Sequence, residues 1–193
     1  MKRRELLSLA ASLPILAQEK NLRVLVKIEN AMGDILVALS GDRAPKTVEN
    51  FLRYVDEGLY DGGLFHRSVK PDNQPQSPVK IEVIQGGPNP DKKQSYPPIA
   101  LERTNLTGLK HVNGVISMAR SGPDTATADF FFCIGDQPEL DFGGKRNPDE
   151  QGFAAFGLVL KGLDCIRKIQ QSPVTLQKLT PPVKILKISR VDA

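Results

Sequence analysis

Short apolar segments rich in β-branched residues recur along this chain of 193 residues, separated by glycine and proline. Alternation of apolar and polar residues with a period of two is typical of β-strands that bury one face. Segments 22–29 and 34–39 alternate in this way on either side of Gly33 and predict an antiparallel hairpin. Six further strands are predicted over 64–69, 79–85, 114–119, 130–134, 156–160 and 183–188.

Two segments have the period of an α-helix instead. Between Pro45 and Leu59 the apolar residues lie three or four positions apart, and Pro45 and Gly58 suit the first turn and the end of a helix. A shorter helix is predicted over 163–170. Eight strands and two helices in a chain of this length predict one mainly β domain, a mostly antiparallel barrel with helices at its ends.

The N-terminal residues have the layout of a short secretory signal, with basic residues at 2–4, an apolar run over 6–16 and the small residue Ala17. The apolar run is shorter than the roughly 20 residues that cross a bilayer, so no stable membrane insertion is expected. We predict a signal peptide at 1–17, a domain at 18–193 and a periplasmic or secreted protein. A frayed amphipathic N-terminal helix on a cytoplasmic protein is the alternative.

Charge and composition argue against a nucleic-acid partner. The net charge of +4 falls to +2 without residues 1–17, and only 6% of the residues are aromatic, with no tryptophan. A surface that binds nucleic acid needs a basic stripe with aromatic side chains on which bases stack. No nucleic-acid binding is therefore expected.

Residue types that hold metals or act as nucleophiles are sparse. His66 and His111 are far apart and lack partners at ligand spacing, so no metal is expected and each is interpreted as a surface or pocket donor. Ser117 lies in a predicted strand outside any nucleophile motif, and no phosphate-binding glycine motif occurs, so no cofactor is expected. Cys133 and Cys165 lie in apolar runs that predict buried thiols. If the chain is exported, a disulfide between them is the alternative.

Six segments, in this order along the chain, resemble the cyclophilins. They are 44–51, 64–67, 84–87, 114–122, 130–132 and 156–159. The resemblance extends from Arg23 to Val191. It implies an eight-stranded antiparallel barrel capped by two α-helices, with peptidyl-prolyl cis/trans isomerase activity on an outer face of the barrel. It also implies a monomer that acts on proline-containing polypeptides and assists the folding of exported proteins.

The resemblance gives a role to nine residues. Arg67 would be the catalytic residue. The substrate would meet a hydrogen-bonding glutamine, backbone groups of two adjacent residues and the apolar walls of a proline pocket. In chain order, the eight residues that would bind substrate are His66, Val83, Gln85, Ala119, Arg120, Phe131, Leu140 and Phe153.

Four positions depart from the pattern that the family commonly shows. Glu82 stands where an aromatic pocket residue is common, and Asp129 stands where glutamine is common, which predicts a more acidic pocket. Phe153 takes a place that histidine often holds. Glu139 stands near the place of a tryptophan associated with tight cyclosporin binding, so weak cyclosporin binding is expected. The acidic residues leave an alternative open, a proline-peptide-binding or chaperone module with weak or no turnover.

Overall fold

The computed structural model describes residues 22–30, 32–93 and 95–191. The predicted signal peptide at 1–17 lies outside these residues. The strands are β1 Arg23–Ile28, β2 Asp34–Leu39, β3 Leu64–Val69, β4 Val83–Gly87, β5 Val115–Met118, β6 Phe130–Cys133, β7 Ala154–Lys161, β8 Val174–Thr175 and β9 Lys178–Val191. The helices are α1 Pro45–Asp56, α2 Thr104–Thr107 and α3 Leu163–Gln171.

Eight of the strands close into an antiparallel barrel. Around the barrel the strands follow the order β1, β2, β7, β5, β6, β4, β3 and β9, and β9 pairs with β1 to close the ring. The two-residue strand β8 pairs with β9. The predicted hairpin forms β1 and β2, with Val24 opposite Val37. The prediction of an eight-stranded antiparallel barrel is confirmed.

The two predicted helices pack their apolar faces on the barrel core. Helix α1 begins at Pro45, and its residue Phe51 is buried in the same core as Ile166 and Ile169 of α3. The ring of Phe51 meets that of Phe130 in β6 edge-on, with centroids 5.6 Å apart. The one-turn helix α2 is an addition to the predicted fold, because four residues are too few to show a helical period.

Two strands differ most in extent from the prediction. The strand predicted over 79–85 begins only at Val83, since the backbone of Ile81 is hydrogen-bonded to the side-chain amide of Gln74. The last strand extends beyond 183–188 in both directions, because it pairs with β8, β3 and β1 along its length.

A second apolar cluster lies on the outer face of the barrel. Successive side chains of a strand point to opposite faces. Along β6, Phe130 and Phe132 therefore join the interior core, whereas Phe131 and Cys133 join the outer cluster. Leu140, at the end of a 3₁₀ turn after β6, packs against the same outer cluster. This face carries the candidate site.

The two cysteines are both buried and free. Burial raises the pKa of both thiols, that of Cys165 to about 11. The prediction of buried thiols is therefore confirmed, and no disulfide joins Cys133 to Cys165.

Candidate active site

A cavity of about 440 Å³ opens on the outer face of the barrel, above β3, β4, β5 and β6. Eight of the nine residues that were predicted to form the site line this cavity. These eight are Arg67, Val83, Gln85, Ala119, Arg120, Phe131, Leu140 and Phe153. The ninth, His66, contacts the cavity only through a neighbouring carboxylate.

The apolar side of the cavity is formed by two aromatic rings and aliphatic side chains. Phe131 and Phe153 meet edge-on, with ring centroids 5.4 Å apart and planes at 89°. Leu140 and Val83 are buried beside them. Ile81, two residues before Val83, also lines the cavity. Sequence reasoning missed it, although the two-residue spacing places both side chains on one face.

The guanidinium of Arg67 is held by two glutamine amide oxygens. Nη1 donates to Oε1 of Gln85 at 3.1 Å, and Nε and Nη2 donate to Oε1 of Gln177 at 3.0 and 2.7 Å. Burial lowers the pKa of Arg67, but an arginine keeps its proton at neutral pH. Both partners are neutral, so the positive charge is not cancelled by a carboxylate. Gln177 lies 110 positions away, and no local pattern pointed to it.

Asp129 orients the amide of Gln85. Its Oδ2 accepts a hydrogen bond of 2.9 Å from Nε2 of Gln85, which leaves the amide oxygen facing Arg67. The same Oδ2 lies 3.0 Å from Nε2 of His66. His66 is thus attached to Asp129 and does not line the cavity, so the prediction that it binds substrate is not supported by its position.

Glu82 does not contribute to the cavity. Its Oε2 accepts a hydrogen bond of 2.9 Å from Nε2 of Gln170 in α3. Ile81 and Val83 take the cavity face, and the residue between them points the other way, as strand geometry requires. The expected acidity of the pocket therefore comes from Asp129 and not from Glu82.

The side chain of Arg120 is fixed within loop 143–152. It forms a bidentate ion pair with Asp149, at 2.7 and 2.8 Å, and Nε donates to the carbonyl of Gly152 at 2.7 Å. Its guanidinium also lies 4.9 Å above the ring of Phe153. The hydrogen bond from Arg120 lowers the pKa of Asp149 to about 2. The side chain of Arg120 is therefore held by the loop, and the expected contact of its backbone with a ligand stays a prediction.

A buried chain of hydrogen bonds packs against the ring of Phe131. Nδ1 of His111 lies 2.8 Å from Oδ1 of Asp141, and Nε2 lies 2.9 Å from Oγ of Ser117. The imidazole stacks on the ring of Phe131, with centroids 6.1 Å apart. His111 and Ser117 are 1% and 0% exposed, so this serine cannot reach a substrate. The interpretation of His111 as a surface or pocket donor is wrong, because it is buried.

The environment of His111 and Asp141 also sets the protonation of these two side chains. Burial lowers the pKa of His111 despite the opposing effect of Asp141. Burial by itself raises the pKa of Asp141, but the hydrogen bonds from His111 outweigh it and lower that pKa overall. The imidazole is therefore neutral and the carboxylate charged near neutral pH.

Within 22–30, 32–93 and 95–191, no group of three or more histidine, cysteine, aspartate or glutamate residues is arranged to hold a metal ion. Across the same ranges, no helix has the length and apolar character needed to cross a membrane.

Comparison with known proteins identifies relatives over most of the chain. The family model described as cyclophilin type peptidyl-prolyl cis-trans isomerase/CLD matches residues 24–190. The peptidyl-prolyl cis-trans isomerase A of Dickeya dadantii is 38% identical over 168 residues, 86% of this chain and 80% of the relative. The peptidyl-prolyl cis-trans isomerase B of Escherichia coli is 37% identical over 142 residues, 72% of this chain and 79% of the relative.

Among solved structures, the fold is similar to a cyclophilin type peptidyl-prolyl cis-trans isomerase of Cryptosporidium parvum crystallised in the presence of the dipeptide Ala-Pro. The TM-score is 0.70 at 22% identity, and the match covers 89% of this chain and 99% of the other. At this level of identity the likeness concerns the fold alone.

Proposed function

This chain belongs to the family of cyclophilin type peptidyl-prolyl cis-trans isomerases, and we propose that Arg67 carries the isomerisation by stabilising the twisted prolyl amide of a bound polypeptide. The reaction makes and breaks no covalent bond. It requires only a site that binds the planar amide less tightly than the twisted one.

The barrier to this rotation is electronic. A peptide bond resists rotation by about 18–20 kcal/mol because amide resonance must be lost. Uncatalysed exchange at proline takes on the order of 10–100 s. In the twisted state the prolyl nitrogen regains a lone pair, which can accept a hydrogen bond. A guanidinium aimed at this nitrogen therefore stabilises the transition state more than either ground state.

The observation that carries the proposal is the uncancelled charge of Arg67 beside an apolar wall. Gln85 and Gln177 fix the guanidinium without neutralising it. Phe131 and Leu140 form an apolar surface in the same cavity, suited to a pyrrolidine ring. The substrate would thus be held by its ring while the amide turns next to the charge, which is catalysis by positioning and electrostatics.

The test is exchange spectroscopy on a proline peptide with the wild-type chain, Arg67→Ala and Glu82→Gln. Loss of one electrostatic stabiliser costs about 2.7–4 kcal/mol, so we expect Arg67→Ala to lose on the order of 10²–10³ in rate. Glu82→Gln is the matched control outside the cavity and is expected to keep the wild-type rate. Equal rates for wild type and Arg67→Ala would exclude Arg67 as the catalytic residue.

The alternative, a proline-peptide-binding or chaperone module with weak or no turnover, is motivated by Asp129 in the cavity wall. Its carboxylate holds the amide of Gln85 at 2.9 Å and could restrict it. Peptide titration alongside the exchange measurement separates the two functions. Binding with little or no acceleration of exchange would favour the module, and strongly accelerated exchange excludes it.

The compartment and the clients form a separate part of the proposal. A basic start and a short apolar run in residues 1–17 support export, and hence a role in folding exported polypeptides. N-terminal sequencing of the protein from its native host tests this directly. A chain that still begins at Met1 in the cytoplasm would contradict export.

A further inference from the structure

A second arginine, Arg146, lines the same cavity as Arg67. It belongs to the long segment between β6 and β7, not to the barrel itself. Its Nη1 donates to Oε1 of Gln74 at 2.8 Å, to Oγ of Ser77 at 2.8 Å and to the carbonyl of Val79 at 2.7 Å. These three bonds fix the guanidinium at one edge of the cavity. Within the described residues, no hydrogen bond uses its Nε or Nη2, so those donors remain for a ligand.

Neither Arg67 nor Arg146 has a carboxylate partner among the residues that the structure describes. The carboxylate in the cavity wall, Asp129, is already engaged by Gln85 and His66. Arg120 differs, because Asp149 neutralises it. The cavity therefore holds two guanidiniums without carboxylate partners and one carboxylate, that of Asp129, so an excess of positive charge remains.

The two guanidiniums influence each other. Burial lowers the pKa of Arg146, and the charge of Arg67 lowers it further. Like charges that share a partly desolvated cavity repel, and an anion between them relieves the repulsion. A guanidinium with free donors also offers directed hydrogen bonds to a carboxylate.

We propose that Arg146 determines substrate specificity by favouring polypeptides that carry an acidic side chain within two residues of the proline. The apolar walls fix the ring, and the free donors of Arg146 select the neighbouring carboxylate. This inference rests on the proposed function in one respect, since it takes the cavity around Arg67 to be the peptide site. It concerns the choice of substrate and not the rotation itself.

The experiment compares matched peptides that differ only in charge. Glutamate is placed immediately before the proline, immediately after it, or second after it, and each peptide has a partner with glutamine there. Dissociation constants are measured by NMR titration. We expect the glutamate peptide to bind about three- to tenfold more tightly than its partner in at least one position, the gain of a partly exposed charged hydrogen bond. The preference should shrink as salt screens the charges.

Variants then locate the source of the preference. In Arg146→Gln the ratio of the two dissociation constants is expected to fall to about one, and Arg146→Met is a second neutral variant should the first fold poorly. Taking a ratio removes any general loss of binding from a disturbed loop. Equal binding of the paired peptides at all three positions would overturn the proposal, as would a preference that survives both variants.

The outcome is independent of the catalytic test. Exchange rates on a neutral proline peptide, measured with wild type and Arg67→Ala, decide whether the proposed function holds. A charge preference in binding that disappears with Arg146 would stand even if those two rates were equal. Conversely, if Arg67→Ala loses rate as expected and the paired peptides bind equally, only the inference about Arg146 is contradicted.

Discussion

One amide oxygen, Oε1 of Gln177, accepts hydrogen bonds from both Nε and Nη2 of Arg67, at 3.0 and 2.7 Å. Gln177 lies in the turn between β8 and β9, and its own Nε2 donates to the carbonyl of Asn73 at 3.0 Å. The guanidinium is therefore fixed on one side by a turn that is distant in sequence. The remaining side faces Gln85 and the cavity.

We expect Gln177→Ala to lower kcat/KM by about tenfold. A hydrogen bond to a charged group contributes about 1.5–3 kcal/mol, and part of this loss would appear as a less ordered Arg67. Exchange spectroscopy on a proline peptide measures the change, and circular dichroism checks that the variant folds. A rate equal to that of wild type would show that Gln85 alone positions the arginine.

Breaking the ion pair between Arg120 and Asp149 should loosen the wall of the cavity. Arg120 is 1% exposed and Asp149 is 28% exposed, so Asp149→Asn leaves a buried guanidinium poorly compensated. Because one partner is partly solvated, we expect a loss of about 1–3 kcal/mol in the free energy of unfolding, less than for a fully buried pair. KM should rise as Phe153 loses its support.

Urea unfolding measures the loss of stability, and exchange kinetics measure the rise in KM. The matched control is Asp164→Asn, whose partner Arg167 lies 3.6 Å away on the exposed surface of α3. That variant should change stability by no more than about 1 kcal/mol. Equal losses for the two variants would contradict the structural role given to Asp149.

Most residues of the cavity could be predicted from the strand pattern and the order of the segments. The residues that hold them in place could not. Alternation along β6 separates Phe131 from its neighbours Phe130 and Phe132, and a sequence shows this directly. Contacts such as that of Gln177 with Arg67 span 110 positions and depend on how the barrel closes. Sequence periodicity carries no information on them.

The error over Glu82 has a different origin, because strand alternation from Val83 and Gln85 already places Glu82 on the other face. The resemblance placed Glu82 at a pocket position by its number along the strand. The chain before Val83 is not paired as a strand, since Gln74 holds the backbone of Ile81. The side chains nevertheless keep the alternation of a strand, so Ile81 and Val83 face the cavity and Glu82 turns toward Gln170. The alternation of side chains along this segment therefore decides the face of Glu82, and its place in the family pattern does not.

Stability should fall with pH below about 6.5 because of His111. Its pKa in the folded protein is lowered by burial, so the unfolded chain binds more protons once the pH drops below the ordinary histidine value of about 6.5. The stability that His111 contributes is present above that pH and is lost as the pH falls toward the folded pKa. The slope cannot exceed about 1.4 kcal/mol per pH unit for one proton.

Urea unfolding between pH 7.5 and pH 5 measures this slope, with His111→Gln and His66→Gln compared to wild type. The slope should persist in His66→Gln and largely disappear in His111→Gln. Asp149, whose pKa is about 2, contributes its own loss only as the pH falls below about 4, so the two effects separate. A slope that is unchanged in His111→Gln would contradict the assignment.

Cyclosporin should bind weakly, because the position near the expected tryptophan holds Glu139. Oε2 of Glu139 accepts a hydrogen bond of 2.8 Å from the backbone N–H of Lys145, and the carbonyl of Glu139 accepts one of 3.2 Å from the N–H of Arg146. The side chain is thus drawn into the adjoining loop and offers neither an aromatic surface nor an indole donor. Without the contacts that a tryptophan ring and its N–H would make with the drug, the binding free energy is weaker by about 2–4 kcal/mol, roughly 30- to 1000-fold in affinity.

Calorimetry with the wild-type chain, Glu139→Trp and Glu139→Leu tests this expectation. Glu139→Trp should tighten cyclosporin binding by at least about tenfold, since it restores the ring and the donor. Glu139→Leu removes the carboxylate without adding an aromatic group, so it isolates the effect of charge alone. If the leucine variant gained as much as the tryptophan variant, the cost of desolvating the carboxylate would be the cause of weak binding. A nanomolar complex with wild type would refute the prediction, because it would mean that the drug binds tightly without an aromatic residue at this position.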